Sequence, residues 1–142
     1  MTMTGTRALD RAVHKTNEWL SELDESFGWD DSQKTFLAMQ AVLRTLRDRL
    51  QVNEAVQLGA QLPMVIRGAY YNGWQPSKTP RKLRTPDDFL EAVSSAYGGT
   101  DPIAPGEMVE GVFWLLANHV SAGEIDDVKS GLPAFLDEYW PD

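Results

Sequence analysis

The chain has 142 residues, 42% of them hydrophobic and 24% charged, which is the composition of one globular domain, not of a disordered or membrane-spanning chain. Its net charge of −8 argues against nucleic acid as a partner, because phosphate-dominated binding needs an excess of Lys and Arg. No cysteine is present, which excludes disulfides, thiolate metal sites and cysteine nucleophiles together and suits a reducing cytoplasm.

Residues 1–6 are polar and lead straight into an amphipathic stretch, so no signal peptide is expected. Leu9, Val13, Leu20, Leu23 and Phe27 follow the apolar spacing of a helix, with Gly28 placed to stop it. Asp31 or Ser32 opens a second helix whose stripe is Phe36, Met39, Val42, Leu43, Leu46 and Leu50. Asn53 is the expected N-cap of a short third helix through Leu58. Pro63 then disfavours helical geometry at Leu62 and opens a fourth helix at its own first position, carrying Met64, Val65, Ile66 and Tyr70. Residues 72–86 hold Pro76, Pro80 and Pro86 with four cations, and read as an extended connector. Thr85-Pro86-Asp87-Asp88 has the pattern of a helix start, with Phe89, Leu90, Val93 and Tyr97 as its stripe and Gly98-Gly99 as its stop. Phe113 and Trp114 share helical spacing with Leu116 and are assigned to the core. The longest apolar run, Val112 to Ala117, is far short of the ~20 residues that span a bilayer, so no membrane partner is expected.

Residues 17–71 match residues 87–141 without gaps at a constant offset of 70. Leu20, Gly28, Asp31, Val42, Leu46, Glu54, Leu62 and Pro63 fall on Leu90, Gly98, Asp101, Val112, Leu116, Glu124, Leu132 and Pro133. These are core and punctuation positions. The pattern predicts a single all-α domain over 1–142, a bundle of two tandem pseudo-symmetric repeats of roughly four helices each. The units span 6–75 and 85–142 and are joined by the Pro-rich basic connector 72–86. Charge is polarised along the chain: residues 1–43 carry −3, residues 44–84 carry +6 and residues 85–142 carry −11.

Gln61-Leu62-Pro63, Arg67-Gly68, Tyr70-Tyr71, Gly73-Trp74 and Pro76, with Gly123-Glu124-Ile125-Asp126-Asp127-Val128 and Leu132-Pro133 further on, carry a resemblance. Over roughly residues 10–140 the chain resembles the bacterial family called domain of unknown function 2267, although Asn72 and Gly131 stand where that family commonly has Glu and Gln. The resemblance implies a helical, bacterial, cytoplasmic protein and assigns it no activity.

The candidate site is the segment that only the first unit carries. Arg67, Tyr70, Tyr71 and Trp74 concentrate a fixed cation and three aromatics, types that anchor interfaces or clamp carboxylates and phosphates. Arg67 falls on Asp137 in the second unit, so a duplicated fold does not require it. The competing expectation is that Tyr70 and Trp74 plug the core while Arg67 pairs with a C-terminal carboxylate. Lys78, Arg81, Lys82 and Arg84 of the connector form a second candidate, an anion or acidic-partner surface, or simply a solvated loop lying across the acidic second unit. No metal site or cofactor is expected: His14 and Glu18 sit one turn apart, and the other histidine, His119, occupies the slot of Arg49 near a helix C-terminus. The acidic pairs Asp30-Asp31 and Asp126-Asp127 are expected as helix caps. No GxSxG, HExxH, P-loop or GxGxxG pattern occurs, and no catalytic residue is assigned. The sequence therefore favours a non-enzymatic interaction or scaffolding module that binds another protein or itself. The alternative is a small-molecule or anion binder, conceivably an enzyme, with a pocket between the repeats.

Overall fold

The computed structural model describes residues 4–142. These form seven α-helices and no strand: α1 Arg7–Phe27, α2 Ser32–Arg49, α3 Val52–Ala60, α4 Met64–Tyr71, α5 Pro86–Ala96, α6 Pro105–His119 and α7 Ala122–Ser130. Two 3₁₀ turns, Pro76–Lys78 and Ala134–Tyr139, complete the described elements.

Local chemistry sets several boundaries where the sequence places them. Gly28 adopts φ 72° and ψ 22°, the left-handed conformation that a side chain disfavours, and its N–H closes α1 on the Asp24 carbonyl. The Asp31 carboxylate accepts from the Lys34 N–H and starts α2. Thr85 and Asp88 exchange hydrogen bonds in a capping box, with Pro86 at the first turn of α5.

Some expectations are corrected. Asn53 lies inside α3, whose N-cap is Gln51, and Pro63 is the N-cap of α4, not its first residue. α5 ends at Ala96, before the glycine pair, where Tyr97 turns to φ −71° and ψ 116°. Asp126 and Asp127 are interior to α7, and Ser121 is its cap, accepting from the Glu124 N–H. Leu9, Met64 and Val65, expected in apolar stripes, are instead 46%, 58% and 40% exposed.

The long helices of the two halves are filed into each other: α1 packs on α6, and α2 packs on α5 as well as on α6. Leu23, Val42, Leu46, Phe89, Val112 and Phe113 are completely buried in this shared core. Each such side chain contributes about 1.5–3 kcal/mol of apolar transfer. Phe113 stacks on Trp140 at 4.0 Å, while its neighbour Trp114 is only half-buried. The short helices α3 and α7 meet at one end of this bundle.

Boundaries in the two halves recur at the same spacing. α3 and α7 begin and end 70 residues apart, and α2 and α6 both end on that offset. Leu50 leaves α2 at φ −79° and ψ 155°, and Val120 leaves α6 at φ −87° and ψ 147°. Gln61 and Gly131 cap α3 and α7 at φ −89° and −87°.

Candidate functional site

The Arg67–Trp74 segment is largely a clamp on the chain itself. The Arg67 guanidinium donates from Nε to the Gly59 carbonyl at 2.9 Å and from Nη2 to the Leu62 and Ala60 carbonyls at 2.8 and 3.3 Å. Gly59 and Ala60 belong to the last turn of α3 and Leu62 follows just beyond it, so the cation meets the negative end of that helix. Arg67 thus pairs with backbone and not with a C-terminal carboxylate. Tyr70 is fully buried, and its hydroxyl donates to the Ala55 carbonyl at 2.7 Å. Burial first, and then the adjacent Tyr71, raises the Tyr70 phenol above its ordinary value. Tyr71 is half-buried, donates to the Val56 carbonyl at 3.3 Å and stacks on Trp74 at 5.5 Å.

The end of α4 is held in the same way by two arginines of α2. Arg47, only 4% exposed, donates from Nη1 to the Tyr70 and Asn72 carbonyls at 2.7 and 3.0 Å, and from Nε to Asp48 at 2.8 Å. Arg44 donates to the Ala69 carbonyl at 2.9 Å. The positions 70 residues after Arg44, Arg47 and Arg67 are Trp114, Ala117 and Asp137. The second half lacks these cations, and there the segment after the proline is the 3₁₀ turn. Sequence reasoning missed Arg44 and Arg47. The available signal was their spacing of three on the Leu43–Leu46 face of a buried helix.

The connector is fixed yet presents its charges outward. The Arg81 N–H donates to the Asp48 carbonyl at 2.7 Å, Leu83 is buried, and Arg49 reaches the Leu83 carbonyl at 3.4 Å. Lys78, Arg81, Lys82 and Arg84 are all exposed, and none belongs to an ion pair among the described residues. Lys78 and Arg81 line a cavity of about 300 Å³ with Asp48, Gly73, Gln75 and Thr79. On the far side, Arg81 and Lys82 face Asp88 and Glu91 of α5 across an open groove. The connector therefore leaves its four cations exposed, whereas Tyr70 is buried and the exposed Arg67 is hydrogen-bonded to the end of α3.

The histidines are placed apart. His14 and Glu18 pair at 3.3 Å on the exposed side of α1. His119 ends α6, contacts Glu22 at 2.5 Å and stacks on Trp19 at 4.4 Å, tying α1 to α6. One acidic group escaped the sequence reading. Glu54 of α3, with Glu124 and Asp127 of α7, brings three carboxylate oxygens within 4.8 Å of one another. Burial first, then the facing Glu54 carboxyl, then Asp127, raises the Glu124 carboxyl above its ordinary range.

No described helix is long and apolar enough to cross a membrane. A family model described as an uncharacterized conserved protein (DUF2267) matches residues 16–139. No curated protein matches the chain.

Proposed function

The chain belongs to the uncharacterized conserved family DUF2267, and from that premise we propose that it is a duplicated, non-enzymatic interaction module that takes an acidic segment of a partner protein on its connector. The observation that carries this reading is the pinned connector with four exposed, unpaired cations. A rigid loop loses little conformational entropy on binding, and unpaired cations steer an acidic partner by their long-range field. Trp74 and Tyr71 at its margin supply apolar contact of the kind that anchors interfaces. The recurrence of helix ends and cap geometries at an offset of 70 supports the duplication. An experimental structure whose halves fail to superpose would remove that part.

The geometry favours the connector among the sequence candidates. Lys78, Arg81, Lys82 and Arg84 are exposed, whereas Arg67 and Tyr70 are hydrogen-bonded to α3. The test is a pull-down from the native host with the wild type and with a variant in which all four connector cations are Glu. The expected result is loss of a salt-sensitive partner with unchanged thermal stability. Identical partners for both proteins would end the proposal. A second reading, a small-anion binder, draws on the cavity beside Lys78 and Arg81. Asp48 in its lining opposes that reading, because a carboxylate there repels the anion.

A further inference from the structure

We infer that Glu54, Glu124 and Asp127 form a site for one hard divalent cation at the junction of α3 and α7. The donor set is three carboxylates from two helices, with each pair of ligand atoms within 4.8 Å. Oxygen–metal distances of about 2.0–2.6 Å put two ligands of one ion no more than about 5 Å apart, so small side-chain rotations bring all three within reach of a single ion. All-oxygen donors select Mg²⁺, Mn²⁺ or Ca²⁺ over Zn²⁺ or Cu²⁺, which favour nitrogen and sulfur.

The buried atoms show that something is owed to this cluster. Glu124 is only 8% exposed, and its Oε2 and the Oε1 of Glu54 are buried facing one another's carboxyl, with no donor supplied by the rest of the described residues. A carboxylate removed from water without compensation is costly, and it is usually paired or bound to a metal. Every ion pair among the described residues lies elsewhere. The ordinary use of a glutamate at the third position of a helix is to accept the N-cap backbone N–H. That use is blocked for Glu124, because the Ser121 N–H already donates to Gln61 Oε1 at 3.2 Å. The carboxylate is instead turned across the helix junction to Glu54, its counterpart 70 residues earlier. Asp127 is one helical turn beyond Glu124 and exposed, leaving one side of the cluster open to solvent through which an ion enters with its waters.

The experiment is a Mn²⁺ titration of the full chain at physiological salt, followed by electron paramagnetic resonance of the free ion and by thermal melting. The expected result is one Mn²⁺ per chain and a rise in Tm of roughly 3 °C or more at saturation. Glu54→Gln and Glu124→Gln are near-isosteric and are expected to weaken binding at least tenfold, while Asp137→Asn, outside the cluster, leaves it unchanged. In the wild type, paramagnetic broadening of amide signals centred on residues 52–56 and 122–128 locates the ion without any variant. Absence of a one-to-one site overturns the inference, and the cluster then holds a proton in place of a metal. Equal affinity in all variants, or broadening spread over the acidic surface, overturns it as diffuse counterion binding.

Discussion

Arg67 shows how a residue with every mark of a recognition group can be used internally. Its three donors close the carbonyl end of α3. Because the side chain is largely solvated, Arg67→Ala is expected to cost about 1–2 kcal/mol in urea unfolding, below the full range for hydrogen bonds to a charged group. If stability is unchanged and partner binding is lost, the residue belongs to the interface after all. Tyr70→Phe removes the bond to the Ala55 carbonyl in a fully buried setting and is expected to cost about 1 kcal/mol, read from the same measurement. The sequence revealed the residue types at these positions but not their direction. Whether a guanidinium points at solvent or at a neighbouring helix end depends on tertiary packing, which periodicity does not encode. The Glu54–Glu124 meeting was half legible: the offset aligned the two glutamates, but only the contact of α3 with α7 brings them face to face.

At the level of the helices, the caps at Gly28, Asp31 and Thr85 were readable, whereas the Ser121 side-chain cap of α7 was missed in favour of the acidic pair inside that helix. Gly28, Asp31 and Thr85 lie where their chemistry put them. Asn53 was misplaced because α3 starts without any side-chain cap, at Gln51. Thr85→Ala dismantles the capping box of α5 and is expected to cost about 1 kcal/mol, checked by thermal denaturation. The α3–α4 junction is tighter. A Cβ at Gly59 stands 2.2 Å from the Tyr71 hydroxyl, so Gly59→Ala must push that ring off α3. The expected loss is about 1–3 kcal/mol of unfolding free energy, with a change in Trp74 fluorescence as its stacking partner moves. A glycine inside an amphipathic helix gave no hint of this, since the ring that occupies its space is twelve residues away.

For the molecule as a whole, composition and charge were the most transparent quantities. The +6 of residues 44–84 and the −11 of residues 85–142 make head-to-tail self-association the expected behaviour at low ionic strength. Sedimentation equilibrium at low and high salt checks this, and a monomer under both conditions would discard it. The all-helical class followed from periodicity, whereas the way the halves embrace did not, because equal apolar stripes permit several pairings. That embrace, α1 against α6 and α5 against α2, has a further consequence. Neither half keeps its longest apolar face to itself, so fragments cut within the exposed turn Pro76–Lys78 would each be sticky alone and would reassemble when mixed. Complementation of the two peptides, read as helical circular dichroism recovered on mixing, is the expected outcome.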